Sequence, residues 1–539
     1  MSRKLGGFAV VGAVGVTLAM PAAAQSRGER RITPYIEVGQ VLSADSVTND
    51  LLTYSEVSAG LDANIDTRRV RIGVSYRYDR RFSWDDQVID NSSHNGVARG
   101  SVAVAPGLTI DGGAVATSVR ADIRGGQPGL NVGTVGNGAQ TFSGDVGPSF
   151  NGRAGPVGMS ASYRYGYTKV EAPAIPDAVT GRRVDLFDSS QRHLAQASVG
   201  VKPGTVLPVG LSAGGAYERE DSAQLDGRYE GAYGRGDLIV PLTPTLAAVG
   251  GVGYEKIEVT QRDAVVNAAG DPVVDSNGRY ITNGASPRRI AYDTEGVFWD
   301  AGVVYRPSPR TTFQARVGRR YDSMTYTGSL SYQASNNLGV NIGVYDGIQS
   351  FGRQLRGGLA GIPINFQTAN DPLGQTFGGC LFGVAGAGAG AGGCLAPALT
   401  SATAANFRAR GVDGVVSASY GRTAFGFGFG YANRKYLVPN GAPGTVVTNG
   451  SQDENAYANA FFSQVLTPVS SWSANVFANY ASSEVPGAVA VYSAGASSSY
   501  THRFGRLGAT ASFGIYGNDT KLTEIQYQSL ARVGLRYGF

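Results

Sequence analysis

The chain has 539 residues, 78 of them Gly and 28 Tyr, with two Cys, three His and a formal net charge of +5. That glycine share is about twice the ordinary one and argues against a string of soluble domains. The weak charge excludes nucleic acid as a partner.

The first residues read as a targeting signal. Arg3 and Lys4 precede an apolar, uncharged run from Leu5 to Met20, and Pro21 leads into Ala22-Ala23-Ala24 before Gln25. This is the pattern of a secretory leader, residues 1–24, removed by cleavage. The run is short for a membrane-spanning helix, which takes ~20 residues. The mature chain, 25–539, is expected to cross the inner membrane and to form one domain in the cell outer membrane of a Gram-negative bacterium.

Strand signals follow at once. The reading begins at about Ile32, in ITPYIEVGQV, close behind the leader. That placement leaves no room for a large plug domain or passenger ahead of the barrel. In VRIGVSYRYDRR (70–81), Val70, Ile72, Val74, Tyr76 and Tyr78 form one series and Arg71, Gly73, Ser75, Arg77 and Asp79 the other. Strict alternation of this kind is a β-strand with two unlike faces. The pattern recurs in VGMSASYRYGYT (157–168), VFWDAGVVYR (297–306), FGFGFGY (425–431) and LGATASFGI (507–515). Roughly 22 such segments of about 10–15 residues fit strands that cross a bilayer at a tilt.

The connections alternate in length. Short turns fall around Thr67-Arg68, Pro106-Gly107, Gly155-Pro156, Pro203-Gly204, Thr243-Pro244, Ser308-Pro309, Asn336-Asn337, Gly421-Arg422, Thr467-Pro468 and Phe504-Gly505. Between them lie mostly long polar stretches, near 84–94, 121–139, 171–190, 262–292, 351–404 and 438–452. Short turns at one end and long loops at the other are the plan of an outer-membrane barrel. The expected fold is therefore all-β: a transmembrane antiparallel up-and-down β-barrel of about 22 strands (range roughly 18–24), with short periplasmic turns and long extracellular loops. Its apolar face looks to outer-membrane lipid and lipopolysaccharide. In lipid every backbone polar group must pair internally, and closure of the barrel achieves that.

Parity assigns the other face to the lumen. The basic candidates there are Arg69, Arg71, Arg77, Arg164, Arg316, Arg320, Arg532 and Arg536, against fewer acids such as Asp79 and Asp300. Two consequences are open. A net basic lining favours anionic solutes; alternatively the arginines pair with acids on neighbouring strands.

A barrel this wide needs an obstruction. The candidate is the extracellular loop 351–404, folded inward. No charge falls between Asp371 and Arg408, and about half of residues 378–393 are Gly. Glycine costs about 1 kcal/mol each against Ala in a helix, so 377–399 reads as a long flexible loop and not a span. Cys380 and Cys394 are the disulfide candidate that would staple it, since an exported protein can oxidise such a pair.

Chemistry-bearing motifs are few. His193 lies near Asp185 and Asp188, but the plain reading is a polar residue at the membrane interface. DPVVDSNGRY (271–280) reads as a turn rather than a calcium loop. No catalytic residue, metal ligand set or cofactor is expected, and the chain is not expected to be an enzyme.

The terminal LARVGLRYGF places Val533, Leu535, Tyr537 and Phe539 on one face. It resembles the C-terminal signal by which barrels are handed to the barrel-assembly machinery. The stretch ITPYIEVGQVLSADSVTNDLLTYSEVSAGLDANIDTRRVRIGVSYRYDRR (32–81), with LTPVSSWSANVFANY (466–480) and RVGLRYGF, resembles the beta-barrel porin type 2 family and outer-membrane proteins found with exopolysaccharide systems. That resemblance implies a porin for small hydrophilic solutes or a helper in polysaccharide export, and carries over no catalytic residues. A non-conducting surface barrel is the remaining alternative.

Overall fold

In this computed structural model the described residues are 30–46, 51–84, 92–120, 138–171, 187–275, 278–335, 337–367, 373, 379–383, 391–395, 397–443, 447–485, 488–520 and 525–539. The leader 1–24, Asp185, and Ser276 and Asn277 of the calcium-like motif lie outside them.

Twenty-two strands form one antiparallel sheet. The barrel strands run from 10 residues (Thr311–Arg320) to 20 (Arg289–Ser308). The first strand, Arg30–Asp45, pairs with Leu51–Asp66 on one side and with the last strand, Gln526–Gly538, on the other. The closing register runs from Tyr35 opposite Gly538 to Asp45 opposite Gln528. The sheet is thereby a closed barrel without an exposed edge. Among the described residues no helix is long and apolar enough to cross a membrane, so the crossing is made by strands.

The two faces divide as the alternation requires. On the first strand Ile36, Val38 and Leu42 are exposed, while Tyr35, Glu37, Val41 and Ser43 are buried. On the last, Val533 is 66% exposed and Leu535 47%, with Arg532 between them 2% exposed. A soluble sandwich would bury the apolar series; here it is the outer surface and the polar series lines the inside. This is an outer-membrane β-barrel, with its apolar surface turned to lipid.

The short turns share one rim. Gly107, Gly155, Gly204, Gly421 and Gly505 take positive φ there, between 57° and 76°. Glycine fits that left-handed conformation without a Cβ clash. From the opposite rim the segment 351–404 folds into the barrel. Its described parts are a helix, Phe351–Ala360, and a small antiparallel sheet of Phe366–Gln367, Cys380–Gly383 and Gly392–Cys394. The expectation of an irregular flexible loop over 377–399 is thus corrected for its described residues, which form a buried hairpin.

Candidate functional site: the filled lumen

The helix enters where the strand Leu338–Gln349 ends. Ser350 caps it, its hydroxyl accepting from the Arg353 amide at 3.1 Å. Phe351, Leu355 and Leu359 recur at i, i+4 and i+8 and are fully buried. They pack on Val97, Val115, Val119 and Val170 of the wall and on Leu381, Leu395 and Ala398 of the same segment. Apolar wall residues facing inward would be out of place in a water-filled lumen; here they have a partner.

Buried charge fixes the helix against the strand Gly210–Ser222. Arg356 lies 2.7 Å from Glu220, and Arg353 lies 2.8 Å from Glu218. Glu220 also accepts from Ser190 at 2.7 Å and from Ser350 at 2.5 Å. Arg356 donates further to Thr168 at 2.7 Å, and the Arg353 guanidinium stacks 3.6 Å from the Tyr229 ring centre. Each charge is therefore paired and hydrogen-bonded, the condition under which buried ions are tolerated. On the far side of the segment Arg434, 1% exposed, donates to Gln354, to the Ser401 hydroxyl and to the Pro397 carbonyl.

Beyond the helix the chain descends toward the short-turn rim. Asn365 donates to Asp66, the last residue of its strand, at 3.2 Å. The hairpin then lies on the glycine face of FGFGFGY. A Cβ on Gly426 would stand 2.4 Å from Phe382, and one on Gly428 2.5 Å from the Cys380 sulfur. Cys380 and Cys394 are opposite each other in register and disulfide-bonded. Phe382, Cys380, Ala391 and Cys394 pack on Val415, Tyr457 and Phe461 of the wall. Leu373 reaches the closing seam, against Val41, Tyr54, Tyr516 and Leu530. The described parts of the segment therefore touch the wall on several sides.

The arginines named from parity occupy several settings. Arg77 meets Glu37, Glu56 and Asp79 at 3.3, 2.6 and 2.5 Å, and Arg532 meets Glu37 at 2.5 Å, tying the first, second, third and last strands across the seam. Arg164 pairs with Asp111 and Asp145, Arg316 with Asp237 and Asp300, Arg320 with Glu255, and Arg536 with Asp62. Arg71 lies on its strand and is exposed. Arg69 lies in the turn before that strand, its carbonyl accepting from Ala103, and not on the wall. Lateral pairing leaves these arginines little free positive charge. It is the alternative to a net basic lining.

Val533, Leu535, Tyr537 and Phe539 share the exposed outer face, as their spacing requires. The three histidines lie in aromatic settings, each beside a tyrosine hydroxyl: Tyr76 with His94 at 2.6 Å, Tyr163 with His193 at 2.7 Å and Tyr500 with His502 at 3.4 Å. Tyr76 and Tyr163 belong to the lipid-facing series, so His193 sits on the outside of the wall. Asp188 pairs instead with Arg279, at 3.1 Å. Among the described residues no group of three or more His, Cys, Asp or Glu could hold a metal ion.

Sequence reasoning missed Arg353, Arg356, Glu218, Glu220 and Arg434. The signal was present in FGRQLRGGLA, whose apolar residues repeat every four and whose two arginines fall on the adjacent face.

No family model and no curated protein matches the chain. Solved structures match in outline over most of its length. The siderophore receptor PiuA from Acinetobacter baumannii has TM-score 0.44 at 8% identity, covering 94% of this chain and 82% of that one. The ferric-catecholate import receptor Fiu from E. coli K12 has TM-score 0.42 at 10% identity, covering 93% and 81%. The FrpB iron transporter from Neisseria meningitidis has TM-score 0.41 at 9% identity, covering 94% and 81%.

Proposed function

We propose that the barrel is a porin-like channel for small hydrophilic solutes whose own segment 351–404 obstructs the passage. The observation that carries this reading is the docking of that segment: a buried helix paired to Glu218 and Glu220, and a hairpin seated on wall glycines. A barrel of about 22 strands is otherwise wide enough for an aqueous channel. The obstruction is held by side-chain contacts, polar pairs and an apolar face at its helix and small residues at its hairpin, so its displacement leaves the strand pairing of the wall intact. Because the luminal arginines pair laterally, size and not anionic charge is the main selection.

The test is single-channel conductance of the refolded mature protein in a planar bilayer, beside a variant lacking 377–399. Small or rare steps in the intact chain and large stable steps in the variant support the reading. Equal conductance in the two sinks it.

A further inference from the structure

We propose that Asp413, with the hydroxyls of Tyr345 and Tyr457, forms a binding site on the inner wall for a monovalent cation, an alkali ion or a primary ammonium.

Asp413 lies on the strand Asn406–Tyr420, two residues before Val415, which packs against the inward hairpin. Residues two apart share a face, so Asp413 also points inward. Most of the other inward carboxylates described above face an arginine. Asp413 is partly buried and has no ion pair or hydrogen bond among the described residues. A carboxylate withdrawn from water without a counter-charge is disfavoured, and a bound cation supplies one.

The two phenols give an independent indication. Tyr457 is 8% exposed, and its hydroxyl is buried without a hydrogen-bond partner. The Tyr345 hydroxyl is likewise buried and unpartnered. Register sets the three side chains on neighbouring strands. Asp413 is opposite Gly343 on one side and Gly430 on the other, and Tyr345 is opposite Gly411. Tyr457 is opposite Gly430. The side chains lean over those glycines. The carboxylate oxygens lie 3.7 and 3.9 Å from where a Cβ on Gly343 would be. The Tyr345 and Tyr457 hydroxyls lie 2.5 Å from such positions on Gly411 and Gly430. Adjacent strands are ~4.8 Å apart, so the three side chains share one patch of four neighbouring strands. Three missing side chains leave them room.

The donor set decides the ligand class. It is oxygen only, with one formal negative charge. Hard oxygen donors suit hard cations, and calcium sites commonly draw on several carboxylates. A single carboxylate with two neutral hydroxyls balances a charge of +1. The site borders the hairpin but its occupancy is measured without conduction, so its failure is separate from that of the channel reading.

The test is sodium-23 line broadening on the full mature protein in detergent, titrated with sodium chloride at constant ionic strength. Wild type is compared with Asp413→Asn and Tyr457→Phe, each shown to be folded by its gel mobility before and after heating. Saturable broadening in wild type, lost in Asp413→Asn and weakened several-fold in Tyr457→Phe, supports the site. Reversal by potassium chloride then marks an alkali site, and reversal by methylammonium chloride alone an ammonium site. No difference between wild type and Asp413→Asn overturns the proposal.

Discussion

Two arcs of the inner wall are built from different chemistry. Where the segment 351–404 is seated, the wall offers Val97, Val115, Val119, Ala139 and Val170 to the helix, and Val415, Gly426 and Gly428 to the hairpin. On the arc formed by Gly227–Pro241, Arg289–Ser308 and Thr311–Arg320, the inward positions are Arg235, Asp237, Asp300 and Arg316, side by side and partly exposed. The barrel backbone is the same in both. The difference is what each arc faces. A wall turned to packed protein is apolar, lacks side chains or pairs its charges with the segment, and a wall turned to water is charged and paired sideways. The inner face thus records where the obstruction sits.

Breaking the covered arc has the larger effects. Replacing Glu218 and Glu220 together by Ala leaves Arg353 and Arg356 buried without counter-charges, at a cost of about 3–5 kcal/mol for each broken pair. The helix is expected to undock while the barrel stays closed. Proteolysis of 351–404 in the folded barrel, and a rise in conductance, check this. If the segment stays protected, the ion pairs are not its anchor. Reducing the Cys380–Cys394 bond comes next. It closes a short loop, with 14 positions of sequence separation, and such a cross-link contributes about 3 kcal/mol. Reduction should loosen the hairpin alone, seen as faster proteolysis there and brief added openings. A smaller step is Gly428→Ala, whose Cβ would meet the Cys380 sulfur at 2.5 Å and Asn459 at 2.6 Å. Overpacking of this kind costs about 1–3 kcal/mol. Gly234→Ala, on the outer face of the strand Gly227–Pro241, is the control, because nothing lies within 4 Å of its Cβ position. The first should lower the heating temperature at which gel mobility shifts; the second should not.

The barrel was legible in the sequence because a wall with lipid on one side and a lumen on the other writes a period of two at every strand. Strand number, loop parity and the outward Val533, Leu535 and Tyr537 all follow from that period. The lumen was legible only in part. Parity places Arg77, Arg164 and Arg316 inward, but whether each meets an acid depends on inter-strand register, which period two does not specify. The helix Phe351–Ala360 was read as loop because its glycines mask its propensity. Those glycines have a different use. A Cβ on Gly352 would stand 2.6 Å from the Ser190 hydroxyl, and one on Gly358 2.7 Å from Leu395. They allow the helix to lie close to the wall at Ser190 and to the segment's own Leu395, a tertiary demand that local propensity does not contain.

The uncovered arc supplies the smallest effect and the sharpest contrast. Arg316 lies 3.1 Å from Asp237 and 2.8 Å from Asp300, and Arg235 also reaches both acids. Arg316→Gln leaves two carboxylates with one guanidinium that is already in place. The pairs are partly hydrated, so the stability loss should be about 1 kcal/mol or less, unlike that at Glu218 and Glu220. On this arc the segment 351–404 meets Tyr229, through Arg353, and not these four side chains, so its protease protection should be unchanged. The charge balance of the passage does change, by one unit toward negative. In the variant lacking 377–399, Arg316→Gln should therefore move the reversal potential in a salt gradient toward cation preference, with little change in conductance. A shift in conductance with no shift in reversal potential would mean that this arc, too, holds the obstruction in place.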